Sequence, residues 1–355
     1  MSDLTTEQIR SCLKDVTDPE TGRPLTDKQI HRIEITDGIA NLQVGLTSFA
    51  APLRKDFEES VRMQIETIAS PEQFQLEITE HERPAQPKGQ VGLTAKAVVA
   101  VGSGKGGVGK STSSVCLALA LKRAGAKVGL LDADVYGPSL PHLTGVRGQV
   151  TKVDEKIGAL DFDGIPLMSI GFMVPPDQAV VWRGPMLHSA ISTFVRDVAW
   201  GDLDYLIIDM PPGTGDIALS LSQMLPISGS VIVCTPQEVA LIDAIKAVAM
   251  MEKVKIPVLG LIENMSSFIC PDNGKRYDIF GSGGAKEYAS QAGIPFLGEI
   301  PINIAMRQRG DDGQMAANFD DPDVAPYLEK IAVEFCRSLA AQNRVKPASG
   351  LPVLG

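Results

Sequence analysis

The chain has 355 residues, enough for more than one domain, with 44% hydrophobic and 5% aromatic content and a formal net charge of −10. That acidic balance excludes a strong non-specific nucleic-acid binder, which needs basic surface to displace counterions. No apolar run reaches the roughly 18–20 residues that span a bilayer. The opening MSDLTTEQIR also lacks the basic and apolar regions of a signal peptide, so a cytoplasmic protein is expected. The five cysteines, Cys12, Cys116, Cys234, Cys270 and Cys336, are odd in number and widely spaced, which argues against a disulfide framework.

Residues 1–82 read as a small α+β domain. Thr5–Leu13 and Phe57–Ile68 have helical apolar spacing. Ile33–Ile35 and Ala40–Val44 read as a hairpin turned at Thr36-Asp37-Gly38, and Phe74–Ile78 alternates as a third strand. Residues 83–96, with Arg83-Pro84, Gln86-Pro87 and Lys88-Gly89, lack periodicity and read as a linker. From Ala97 to residue 342 strands and helices alternate. The apolar runs are Ala97–Val101, Val128–Asp132, Tyr205–Asp209, Ser230–Cys234 and Val258–Glu263. The helical stretches are Lys110–Arg123, Ile217–Leu225, Glu238–Val254, Gly284–Ala292 and Pro322–Ala341. Short continuous apolar strands suit a parallel sheet buried on both faces. The fold class expected is therefore α/β, a P-loop NTPase with a doubly wound, mostly parallel sheet, preceded by the small α+β domain. Residues 343–355 are expected to be a flexible tail.

Gly104-Lys105-Gly106-Gly107-Val108-Gly109-Lys110-Ser111 fits G-x-x-x-x-G-K-S/T, and it falls between an apolar strand and a helix. There the loop amides and the helix N-terminus point at one spot and favour a phosphate. Lys110 is expected on the β- and γ-phosphates of ATP, with the Ser111 hydroxyl on Mg²⁺ and Thr112 beside it. Gly102-x-Gly104-x-x-Gly107 also fits the dinucleotide fingerprint, with Asp132 closing the next strand. That reading gives no role to Lys110-Ser111 or to a later acidic strand end. The later strand, Leu206-Ile207-Ile208-Asp209, delivers Asp209 as a Walker B carboxylate for Mg²⁺. Asp132 is either structural or on the metal's shell, and Asp134 is placed to orient the attacking water.

Lys105, directly after the first loop glycine, resembles the signature lysine of the deviant Walker A ATPases of the MinD, ParA and ArsA type. The resemblance implies that Lys105 acts in trans across a nucleotide-sandwich homodimer. Asp132–Ser139, Trp182-Arg183-Gly184-Pro185-Met186, Asp209–Asp216 and Glu263-Asn264-Met265-Ser266 together resemble the Mrp/ApbC branch of iron–sulfur cluster carriers. By that resemblance Asn264 contacts the adenine, the loop around Pro301-Ile302 flanks it, and client apoproteins or assembly factors are partners. The first domain, through Val16-Thr17-Asp18-Pro19-Glu20, resembles the small domain of iron–sulfur assembly factors.

One position departs from that pattern. Family members carry C-P-x-C after the E-N-M-S segment, and two such pairs supply the four thiolates that a bridging 4Fe–4S cluster demands. This chain reads Cys270-Pro271-Asp272-Asn273-Gly274, with Asn273 at the second cysteine and an Asn-Gly turn pair. Some relatives also carry a reactive cysteine before Pro52, where this chain has Ala51. Two readings follow: a carrier with an altered cluster site built on Cys270, or a MinD/ParA-like ATPase switch that has lost cluster binding. Two prolines and two glycines in residues 346–355 disfavour a terminal amphipathic membrane helix.

Overall fold

The computed structural model describes residues 4–345 apart from 90–91, 136, 154, 174–183 and 214. They divide into two units, one drawn from Met1–Arg83 with Cys336–Gly355 and the other from Pro84–Phe335.

In the first unit, helix α1 (Thr6–Leu13) starts where Thr5 and Gln8 cap each other's backbone amides. Strands β1 (Ile30–Thr36) and β2 (Ile39–Leu46) pair antiparallel across Asp37 and Gly38, both at positive φ, as a two-residue turn demands. Helix α2 (Arg54–Ile65) then crosses over, so β3 (Phe74–Glu80) lies parallel to β2. Ile9, Leu13, Leu42, Phe57, Val61 and Ile65 fill the core. The Asp18-Pro19-Glu20 segment has a structural explanation. Asp18 is 1% exposed, and its carboxylate accepts from Thr21 Oγ1 at 2.9 Å and from Arg83 Nη1 at 2.8 Å. Glu20 accepts from Thr47 Oγ1 at 2.5 Å. Buried carboxylates need such partners. The last helix, α10 (Ala325–Val345), runs beyond the expected start of the tail at Asn343, because Asn343 Nδ2 donates to the Glu20 carbonyl at 2.8 Å. Residues 346–355 lie outside the described ones.

In the second unit, β4 (Leu93–Gly102), β5 (Val128–Asp132), β6 (Leu160–Phe162), β7 (Ile165–Ser169), β8 (Leu203–Asp209), β9 (Gly229–Cys234), β10 (Val258–Ile269), β11 (Arg276–Tyr277) and β12 (Phe296–Ile302) join one sheet. Its order is β11-β10-β9-β4-β8-β5-β7-β6, with β12 also on β10. The neighbours from β7 to β10, and β12 on β10, pair parallel. β6 and β11 pair antiparallel at the margins. The helices are α3 (Lys110–Arg123), α4 (Leu140–Thr144), α5 (Gly184–Asp197), α6 (Gly215–Met224), α7 (Glu238–Lys253), α8 (Gly284–Ala292) and α9 (Ile304–Asp311). β8 and β9 are buried at every position, and α3 is buried nearly all round, which explains its weak amphipathicity. No helix among the described residues is long and apolar enough to cross a membrane.

Two segments of this unit differ from expectation. β4 begins at Leu93, not Ala97, because the Lys96 ammonium is neutralised by Asp204 at 2.9 Å and can enter the sheet. β12 escapes a sequence reading because Gly298 and Pro301 resemble breakers. Its partner is β10, and proline is tolerated where one ladder side is free. Pro301 and Ile302 therefore close a strand and are not part of a loop.

The chain leaves β4 for β5 on one side and later places β9 on the other. The carboxyl end of β4 is thus a topological switch point, where open α/β sheets bind ligands.

Candidate nucleotide site

Residues 103–109 connect β4 to α3 at that switch point. Gly107 and Gly109 both have φ +81, which turns successive amides inward. Gly109 also has no room for a side chain, since a Cβ there would collide with the Asn264 amide. Gly104 rests against the main chain of Asp243 on α7, where a Cβ would likewise collide. Gly106 is exposed and Val108 is buried beneath the loop. Lys105 is half-buried, and its carbonyl accepts from Ser103 Oγ at 2.9 Å. Thr112 is half-buried on the first turn of α3.

Strand register brings the acids to the same edge. Asp209 lies opposite Val101 of β4 and opposite Asp132 of β5. Asp209 is fully buried, and its Oδ2 takes Lys110 Nζ at 2.8 Å and Ser111 Oγ at 2.6 Å. Its Oδ1 takes Ser114 Oγ at 2.6 Å. Lys110 Nζ also donates to Ser111 Oγ at 3.2 Å. The Ser111 hydroxyl and Asp209 carboxylate are hard oxygen donors of the kind magnesium prefers. Among the described residues no set of three His, Cys, Asp or Glu side chains could hold a metal.

Asp132 is held by three donors of the protein. Its carboxylate accepts from the Asp134 and Leu140 amides at 3.1 and 3.2 Å and from Ser169 Oγ at 3.0 Å. Burial and the neighbouring Asp209 charge push its carboxyl up to about 8, despite those hydrogen bonds. Asp134, 9% exposed, accepts from the Gly137 amide at 3.3 Å and lies two residues beyond the sheet edge.

Asn264, 6% exposed in β10, donates Nδ2 to the Val108 carbonyl at 2.9 Å and so ties β10 to the phosphate loop. Beside it, buried Glu263 accepts from the Gly283 and Ala285 amides at 3.1 and 2.9 Å and so stabilises the start of α8. Tyr136, Trp182, Arg183 and Thr214 lie outside the described residues. Sequence reasoning missed the serines. Ser114 was legible, because it lies three residues from Ser111 on the same helical face. Ser139 and Ser169 are brought in by folding alone.

Cys270 is half-buried at the start of the β10–β11 turn, whereas the other four cysteines are buried. The Cys270 amide donates to the Lys275 carbonyl at 2.9 Å, and the Gly274 amide donates to the Cys270 carbonyl at 2.8 Å. Asn273 Oδ1 accepts from the Lys275 amide at 2.9 Å, so its side chain closes the turn.

The family model described as NUBPL iron-transfer P-loop NTPase matches residues 94–336, and one described as iron-sulfur cluster assembly protein matches residues 6–72. An iron-sulfur cluster carrier protein of Deinococcus radiodurans is 45% identical over 354 residues, covering 98% of each chain. Another, from Synechocystis, is 42% identical over 320 residues, covering 87% of this chain and 90% of its own. A nucleotide-binding protein of Archaeoglobus fulgidus, solved in complex with ADP, is 43% identical. It superposes with a TM-score of 0.57 over 63% of this chain and 88% of its own.

Proposed function

This chain belongs to the iron-transfer P-loop NTPase family, and we propose that it is a Mg²⁺-dependent ATPase that carries iron–sulfur clusters as a cytoplasmic homodimer. The observation that carries the ATPase reading is Asp209, held in one buried cluster with Lys110, Ser111 and Ser114. With ATP bound, Lys110 would exchange Asp209 for the β- and γ-phosphates, and Ser111 with Asp209 would hold the magnesium. The metal supplies Lewis-acid stabilisation of phosphate charge. Asp134 orients the attacking water, and Lys105 reaches the partner protomer's phosphates. Asn264 faces the base.

The cargo reading rests on the relatives' identity as iron–sulfur carriers and on Cys270, the least buried of the cysteines. Two protomers supply two Cys270 thiolates. A small thiol or a client apoprotein supplies the remaining ligands of a 4Fe–4S cluster. Anaerobic reconstitution with iron and sulfide, followed by visible absorption and iron counting, tests this. Substoichiometric binding abolished by Cys270→Ala is expected, and no signal from the wild type sinks the carrier reading. Lys105→Ala is expected to slow hydrolysis while nucleotide binding persists.

A second reading, an ATPase switch without a cluster, is favoured by one observation. Asn273 Oδ1 is spent on the Lys275 amide and offers the cluster no thiolate.

A further inference from the structure

Ser139 stands at the N-cap position of α4, with no side-chain hydrogen bond to that helix. A serine there ordinarily accepts from an amide of the first turn. Here the second helical residue is Pro141, which has no N–H, and the Leu140 amide is taken by the carboxylate of Asp132 at 3.2 Å. The Ser139 hydroxyl instead donates to Ser111 Oγ at 3.0 Å. Ser111 in turn donates to Asp209 Oδ2 at 2.6 Å. The three groups form a chain of hydrogen bonds running in one direction, from the Asp132–Ser139 segment into the acid that closes β8.

A hydroxyl has one proton and two lone pairs. On Ser111 the proton goes to Asp209, one lone pair accepts from Ser139, and the other accepts from Lys110 Nζ at 3.2 Å. When Lys110 turns to a phosphate it releases one lone pair. The Ser139 bond then fixes the rotation of Ser111 about its Cα–Cβ bond, so that the released lone pair has one direction. We propose that Ser139 is a positioning residue for magnesium, acting through Ser111 and setting the metal requirement of nucleotide binding. This rests on the reading that Ser111 and Asp209 hold the metal.

The test is the affinity of a fluorescent ATP analogue for the full-length protein, titrated with and without magnesium. Wild type, Ser139→Ala, Ser139→Thr and Ser111→Ala are compared. Removing an outer hydrogen bond to a metal ligand costs a site about tenfold in metal affinity. Ser139→Ala should therefore raise the magnesium concentration at half effect by about tenfold. Affinity without magnesium and the thermal midpoint should stay at wild-type values. Ser139→Thr, which keeps the hydroxyl, should restore the wild-type metal requirement. Ser111→Ala should remove the magnesium effect altogether. An unchanged magnesium requirement in Ser139→Ala beside a lost one in Ser111→Ala overturns the role of Ser139 alone. A wild type that behaves alike with and without magnesium, or a Ser111→Ala variant that keeps the wild-type magnesium effect, overturns the underlying metal reading instead. Equal losses with and without magnesium in Ser139→Ala assign Ser139 to the architecture of the loop and also overturn the proposal.

Discussion

The side-chain amide of Asn264 donates to the main-chain carbonyl of Val108 at 2.9 Å, joining two segments 156 residues apart in the chain. The acceptor is a carbonyl, so the group facing it is the NH₂, and the remaining polar atom of Asn264 is an acceptor oxygen. An acceptor suits the exocyclic amine of adenine and repels the carbonyl that guanine carries at the same position. Asn264→Ala should therefore weaken ATP binding and erase its preference over GTP. Displacement of a fluorescent nucleotide by each triphosphate reads this out. Equal weakening of both with the preference intact would confine Asn264 to bracing the loop.

Lys110 Nζ lies 2.8 Å from Asp209 Oδ2, and Asp209 is fully buried. Removing the cation strands a buried carboxylate, although the Ser111 and Ser114 hydroxyls still face it. Loss of one partner of a buried pair costs about 3–5 kcal/mol, and the two remaining donors place this case at the low end. Lys110→Met should thus lower the thermal midpoint as well as abolish ATP binding. Adding Asp209→Asn to Lys110→Met should recover most of the midpoint and none of the binding. Additive losses in that double-mutant cycle would show that the pair does not couple.

Asp132 gives the protein a pH signature. Burial and the Asp209 charge raise its carboxyl to about 8, from the 3.8 of an ordinary aspartate. Between those values the folded state holds a proton that the unfolded state has released. Stability contributed by that proton is complete at low pH and falls as pH rises towards 8. Asp132→Asn mimics the protonated form. It should flatten the decline of the thermal midpoint between about pH 5 and 8 that the wild type shows. The same slope in both proteins would mean that Asp132 is ionised throughout.

The parallel sheet and the phosphate loop were legible because the cues are local. Val128–Asp132 and Leu206–Asp209 are short apolar runs ending in acids, and Gly104–Ser111 lies between a strand and a helix. What the acids do was not legible. Which donors reach each carboxylate is not written locally, since the Leu140 amide and Ser169 arrive at Asp132 through tertiary packing. β12 was hidden by Gly298 and Pro301, whose local preferences are overridden by pairing with β10. The helical character of Asn343–Val345 was hidden because its anchor, the Glu20 carbonyl, lies 323 residues away.

The proposed cargo is tested at Asn273. Its Oδ1 accepts from the Lys275 amide, and the Gly274 amide closes the same turn on the Cys270 carbonyl. Asn273→Cys loses one exposed hydrogen bond, about 1 kcal/mol at most, and the Gly274 closure remains. The fold should therefore tolerate the change while each protomer gains a second thiol three residues from Cys270. Anaerobic reconstitution should then bind more iron than wild type, approaching one four-thiolate cluster per two protomers. Cys116 and Cys234 cannot substitute, because burial pushes both thiols up to about 12 and withholds the thiolate. Brief alkylation of the native wild type should accordingly label Cys270 first, and mass spectrometry of the digest shows which thiols react. Iron content in Asn273→Cys no higher than in wild type would mean that the missing second cysteine is not what limits the cluster.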